Sequence, residues 1–85
     1  MFVVYVIKSL SHNFTYVGFT ANLKKRLHQH NHKLGRATKP YAPFELLYSE
    51  PFKDRISARK REKYLKSTAG KNYLKKVLTE NPNNL

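Results

Sequence analysis

The sequence predicts an α+β domain, an α/β sandwich in looser usage, in which a three-stranded antiparallel sheet is flanked by two or three helices. Residues 2–7 form an unbroken run of β-branched and aromatic side chains, typical of a strand buried on both faces. Farther along the chain, apolar residues recur at helical spacing behind residues that cap helices. These patterns predict the element order β-β-α-β-α-α.

A polar loop separates the first strand from a second one over residues 14–19, so the two should form an antiparallel hairpin. If the hairpin pairs residues whose numbers sum to an odd value, Tyr5 and Tyr16 share one face of the sheet. Both could equally be ordinary aromatic core residues. A third, partly exposed strand is predicted over residues 44–49, after a segment, residues 39–43, that is too rich in proline to be helical.

Three helices follow from periodicity and capping residues. The first is predicted over about residues 22–32, with Asn22 among its candidate N-caps and Gly35 ending the region. Asp54 can cap a second helix that runs to about Lys66, with Gly70 near its C-terminal end. A short third helix is marked by three apolar residues, Leu74, Val77 and Leu78. Residues 1–80 are then one domain, and residues 81–85 are expected to fray.

Composition narrows the function classes. The chain of 85 residues carries 17 Lys and Arg against 5 Asp and Glu, a formal charge of +12, which favours a polyanionic partner. The absence of cysteine excludes disulfides, thiolate zinc sites and cysteine nucleophiles. No apolar run approaches the roughly 20 residues of a membrane span, and the start lacks the features of a signal peptide. We therefore expect a cytoplasmic protein that does not contact a membrane.

The first predicted helix offers a pair of polar residues that could carry chemistry. Arg26 and His30 lie one turn apart, on a shoulder of the apolar stripe of that helix. A guanidinium and an imidazole are thus held where the helix meets the sheet, although a snorkelling Arg and a half-buried His would give the same pattern. His28 and His32 have the spacing of a zinc pair, but no third ligand is evident in the sequence.

The second predicted helix is strongly basic, and Glu62 is the one acidic residue beyond its cap. Its spacing from Ala58 and Leu65 turns Glu62 toward the packed side of the helix, where a carboxylate needs a partner. That partner is either a neighbouring Lys or Arg or a divalent cation such as Mg²⁺. The basic residues of the two helices are candidate nucleic-acid contacts: Lys24, Lys25, Arg55, Arg59, Lys60, Arg61, Lys63 and Lys66.

Taken in order, Tyr5, the triplet 16–18 (Tyr-Val-Gly), Arg26, His30 and Glu62 resemble the GIY-YIG nuclease superfamily. The likeness covers roughly residues 2–78 and is greatest to small stand-alone bacterial members and to a related structure-specific nuclease subunit. It implies a phosphodiester hydrolase that uses one Mg²⁺ or Mn²⁺ ion. In that resemblance Glu62 would ligate the metal and Arg26 would neutralise the scissile phosphate. Tyr5 or Tyr16 would act as general base or orient the attacking water, and His30 would assist proton transfer.

The expected function is therefore a metal-dependent endonuclease that nicks DNA or acts on particular DNA structures, with DNA favoured over RNA as its partner. A DNA substrate would place a bacterial member at the nucleoid. The alternative is a non-catalytic module of the same fold that binds DNA or RNA through its basic helix. Charge and size alone would also suit an RNA-binding or ribosome-associated accessory protein. The sequence leaves open a homodimer or a partner protein.

Overall fold

The computed structural model describes residues 1–80 and confirms the predicted fold class and element order. The predicted tail, residues 81–85, lies outside the described residues. The elements are β1 (Phe2–Ser9), β2 (Thr15–Thr20), α1 (Leu23–Asn31), a 3₁₀ turn (Lys39–Tyr41), β3 (Phe44–Phe52), α2 (Arg55–Lys66) and α3 (Thr68–Glu80). Within residues 1–80, no helix has both the length and the apolar character that crossing a membrane requires.

β1 is the central strand of an antiparallel sheet with the order β2-β1-β3. Residues 4–7 of this strand are buried, as the unbroken apolar run predicts, because the sheet is covered on both faces. On one face, Tyr5 and Ile7 pack with apolar residues of α1. On the other face, Val4 and Val6 pack against the apolar sides of α2 and α3. The two helical layers therefore meet alternate side chains of the same strand.

The hairpin register decides which tyrosines lie together. Tyr5 is paired with Gly18, and Ile7 is paired with Tyr16, so Tyr5 and Tyr16 lie on the same face of the sheet, and their ring centroids are 6.4 Å apart. The Tyr5 ring crosses directly over Gly18: a Cβ at position 18 would lie 2.6 Å from Tyr5 Oη and 2.8 Å from Cζ. Glycine is needed there because any side chain would displace the Tyr5 hydroxyl.

Both capping predictions are confirmed. The Asn22 side chain accepts a hydrogen bond from the backbone N–H of Lys25 at 3.1 Å and begins α1. The Asp54 side chain accepts one from the N–H of Ser57 at 2.8 Å and begins α2. The backbone hydrogen bond also holds the pKa of the exposed Asp54 carboxyl below its ordinary value. These local caps fix where each helix starts, and hence which residues face the sheet.

Three local predictions are wrong. Residues 39–43 contain a single 3₁₀ turn, which tolerates Pro40 because the first-turn N–H groups of a helix have no helical partner. Gly70 lies in the first turn of α3 rather than at the end of α2, and it is buried where a Cβ would overlap the backbone of Tyr64 and Leu65. The third helix is also not short, since it spans 13 residues.

Candidate active site

A buried chain of three polar side chains joins the central strand to α1. The Tyr5 hydroxyl lies 2.9 Å from His30 Nε2, and His30 Nδ1 lies 2.8 Å from Thr38 Oγ1. The three residues are 1%, 2% and 1% exposed, respectively. Because unpaired polar groups are costly in such surroundings, these hydrogen bonds fix the position of each ring and hydroxyl.

The protonation states of this chain follow from burial and charge. Burial raises the pKa of Tyr5 above its ordinary value of 10.0, although the hydrogen bond from Arg26 opposes that shift. Burial, together with the nearby Arg26 charge, lowers the pKa of His30 below its ordinary 6.5. At neutral pH the phenol is therefore protonated and the imidazole is neutral. A neutral imidazole carries one ring proton, so one ring nitrogen of His30 donates and the other accepts. We expect Nε2 to accept from the Tyr5 hydroxyl and Nδ1–H to donate to Thr38 Oγ1, because the neighbouring Arg26 can only donate.

Sequence reasoning missed Thr38, and the loop after α1 explains how it reaches the site. A Cβ at Gly35 would lie 2.7 Å from Thr38 Oγ1 and 3.4 Å from His30 Nδ1. Glycine at position 35 thus lets the loop fold back over the imidazole. A polar residue eight positions beyond His30, outside any helix or strand, gives no periodic signal, and the sequence pattern at Gly35 predicts only the end of the helical region.

Tyr16 completes the aromatic part of the site. Its ring centroid lies 5.3 Å from that of His30 as well as 6.4 Å from that of Tyr5. The ring is half-buried, and Lys66 Nζ of α2 lies 5.8 Å from its centroid. Lys66 was expected only as a nucleic-acid contact, yet it is placed at the edge of the tyrosine pair. The structure thus brings a cation of α2 to the face that carries Tyr5 and Tyr16.

Arg26 lies one turn before His30 on the same side of α1 and is half-buried. Its Nη1 donates to Gln29 Oε1 at 3.2 Å, which helps to orient the guanidinium. Hydrogen bonding to Tyr5, and more weakly to Tyr16, raises the pKa of Arg26, so it is always charged. A fixed cation beside two hydroxyls is suited to an anionic oxygen, because guanidinium groups bind phosphate with directed hydrogen bonds.

Glu62 reaches this region from α2. Its side chain is 9% exposed and shares the packed side of the helix with Ala58 and Leu65. Lys66 Nζ lies 3.4 Å from one carboxylate oxygen, and Arg59 Nε lies 3.7 Å from the other. The carboxylate charge is also among the smaller influences that raise the pKa of Tyr5, after burial. Glu62 thus lies near enough to Tyr5 for its charge to act on the phenol, and within residues 1–80 it is held by two long ion pairs.

The donor set fits one hydrated divalent cation, but not a cation held by protein ligands alone. Within residues 1–80, no group of three His, Asp or Glu side chains could hold a metal. Mg²⁺ is commonly bound by one or two carboxylates, several waters and a substrate phosphate. A single carboxylate in long ion pairs retains oxygen lone pairs for such an ion. His28 on α1 and His32, the residue that caps its C-terminal end, are exposed, and their ring centroids are 4.0 Å apart.

The basic residues predicted to contact nucleic acid fall into two groups. Seven have exposed side chains: Lys24, Lys25, Arg55, Arg59, Lys60, Lys63 and Lys66. Arg61 differs, since its side chain is half-buried and its Nε lies 3.0 Å from Glu50 Oε1. The Arg61 guanidinium also lies 5.1 Å and 4.9 Å from the ring centroids of Tyr64 and Tyr73. The surroundings of Arg61 are those of a structural residue, whereas the other seven cations face solvent.

Comparison with known proteins now assigns the family. The family model described as the GIY-YIG catalytic domain matches residues 1–76, and the chain belongs to this family of nuclease domains. A UPF0213 protein of Clostridium perfringens is 38% identical over 64 residues, covering 74% of this chain and 68% of the relative. A UPF0213 protein of Staphylococcus haemolyticus is 33% identical over 75 residues, covering 87% and 90%. No solved structure is significantly similar to the chain.

Because His30 is buried, we expect the free energy of unfolding to decrease as the pH falls. In the folded protein the pKa of His30 lies below its ordinary 6.5. Below about pH 6.5 the unfolded chain therefore binds a proton at this residue more readily than the folded chain does, which favours unfolding. The contribution of neutral His30 to stability is fully present above the pKa of the unfolded state and is lost as the pH falls toward the lower pKa of the folded state. The thermal midpoint should therefore fall less between about pH 7.5 and 5.5 in His30→Gln than in the wild type. The exposed control His28→Gln should keep the full fall, and an unchanged fall in His30→Gln would contradict the account.

Proposed function

We propose that this protein is an endonuclease that hydrolyses phosphodiester bonds in nucleic acid with one Mg²⁺ or Mn²⁺ ion, and that DNA rather than RNA is its substrate. Nucleases of its family generally use a divalent metal. The observation that carries the proposal is the buried hydrogen bond between Tyr5 and His30, beside the charged Arg26. This group combines a route for a proton with a cation for a phosphate, and both are needed for phosphodiester hydrolysis.

In the proposed reaction, His30 is the final acceptor of the proton. The attacking water gives a proton to Tyr5 Oη while the Tyr5 proton passes to His30 Nε2. The water oxygen bonds to phosphorus, the bond from phosphorus to the leaving sugar oxygen breaks, and that oxygen takes a proton from solvent. This route avoids a free Tyr5 phenolate, which burial disfavours. Arg26 stabilises the charge that develops on the phosphate, and Tyr16 orients the water.

Glu62 is the residue that would hold the divalent cation, in place of its long contacts with Lys66 and Arg59. When bound, such an ion supplies Lewis-acid stabilisation of the phosphate. The released cations of Lys66 and Arg59 would then face the phosphate backbone. The exposed basic residues of α1 and α2 extend this positive surface, and their contacts with phosphates would make binding depend on salt concentration.

The proposal predicts different fates for cleavage and binding in Glu62→Gln. The amide keeps the shape of the side chain but removes the charge that holds the cation, so cleavage should fall by about 100-fold or more. Binding should be unchanged or tighter, because a negative charge leaves a basic surface. Nicking of supercoiled and branched DNA with Mg²⁺ or Mn²⁺, binding in EDTA and the thermal midpoint are measured. Glu45→Gln, at an exposed position on β3, is the matched control.

Cleavage by Glu62→Gln at the wild-type rate would exclude Glu62 as the essential carboxylate. A large fall in the thermal midpoint would instead assign Glu62 a structural role as the partner of Lys66 and Arg59. If the wild type binds DNA and RNA but cleaves neither with either metal, the proposal fails and the protein is a binding module of the same fold.

A second prediction concerns Thr38, a positioning residue that acts through His30. Thr38→Val keeps the side-chain shape but removes the acceptor for His30 Nδ1–H. The tautomer that carries its proton on Nε2 should then become more populated. Cleavage should fall by roughly tenfold or more, its pH dependence should change, and Thr38→Ser should restore both. Cleavage rates are measured across pH, together with the thermal midpoint. A loss of stability with an unchanged rate and pH profile would reduce Thr38 to a packing residue.

A further inference from the structure

A groove of about 550 Å³ adjoins the candidate active site at Tyr16 and Lys66. It continues from there toward α3, away from Arg26 and His30. Its lining residues come from the three strands, from the residue before β2 and from α2 and α3, and they include Phe14, Tyr16, Lys66, Lys71 and Lys75. The groove therefore shares two residues with the site but is otherwise made from residues that the proposed reaction does not use.

The groove combines apolar walls with a positive rim. Half of the lining residues are aliphatic, and Phe14 and Tyr16 are the aromatic residues of the lining. Three exposed lysines, Lys66, Lys71 and Lys75, belong to the lining, and no acidic residue does within the described part of the chain. Lys71 and Lys75 are one turn apart on α3, so their side chains lie on the same side of the helix.

We propose that this groove binds an unpaired nucleotide of the nucleic-acid substrate, with its base among the apolar and aromatic residues and its flanking phosphates at Lys71 and Lys75. The inference rests on the proposed function, since the groove begins at Tyr16, where the scissile phosphate would lie. Its volume accommodates one nucleotide. A base within a duplex is stacked and cannot enter, whereas an unpaired base can stack on an aromatic ring whatever its sequence.

Charge complementarity favours this occupant over an apolar peptide. Three lysines around one apolar groove attract an anion, and each backbone phosphate of a strand supplies a negative charge at regular spacing. Lys66 is near both Tyr16 and Glu62, so a strand that follows the lysines leads from the groove to the candidate site. The groove would thereby select strands with an unpaired nucleotide next to the phosphate to be cleaved.

The test measures binding in EDTA, so that it does not depend on cleavage. Two DNA duplexes of equal length carry 2-aminopurine, in one case paired with thymine and in the other unpaired. The wild type should bind the unpaired form roughly tenfold more tightly and should quench its fluorescence through stacking. Lys71→Ala combined with Lys75→Ala should remove this preference. Lys53→Ala combined with Lys76→Ala, which removes the same charge from exposed positions outside the groove, should keep it.

Equal binding of the two duplexes by the wild type, or a preference that survives in the groove variant, would overturn the inference. The inference would also be overturned if the double variant of Lys71 and Lys75 lost binding of an acidic, aromatic peptide but bound both duplexes as tightly as the wild type. The outcome is separable from the proposed function. A protein that cleaves DNA without preferring the unpaired form retains only the nuclease proposal, and one that prefers the unpaired form without cleaving retains only the groove.

Discussion

The hydrogen bond between Tyr5 and His30 is the interaction on which the rest of the site depends. It joins the centre of β1 to α1 through two side chains that are almost fully buried, where an unmade hydrogen bond would be costly. Gly18 makes room for the tyrosine on the strand side, and Gly35 makes room for Thr38 on the loop side. Two glycines in unrelated parts of the chain thus serve one contact.

This contact also determines how the charged residues are arranged. With α1 held against the sheet, Arg26 lies beside the Tyr5 hydroxyl and remains charged there. From the other layer, α2 brings Glu62 and Lys66 to the same tyrosines, because these residues face the sheet and the ring of Tyr16, respectively. The site is therefore built where both helical layers reach the β1–β2 hairpin. Glu62, the one buried carboxylate of residues 1–79, lies at this place in a small domain with a large positive charge.

The sequence predicted what local patterns control and missed what depends on distant contacts. The strands, helix starts and shared face of Tyr5 and Tyr16 follow from residue spacing and capping side chains, and the structure confirms them. Thr38 carries no such pattern, since a loop brings it to His30. Arg61 has the same sequence appearance as its exposed basic neighbours, and only tertiary packing reveals its partner, Glu50.

The most direct test of this account is the tautomer of His30, measured by ¹⁵N NMR of the imidazole nitrogens at neutral pH. The account predicts a neutral ring in which Nδ1 carries the proton and Nε2 is the acceptor, with the Tyr5 hydroxyl proton shared in a hydrogen bond to Nε2. A ring protonated on Nε2, or one that is charged at neutral pH, would contradict it, because Tyr5 could then no longer pass its proton to His30.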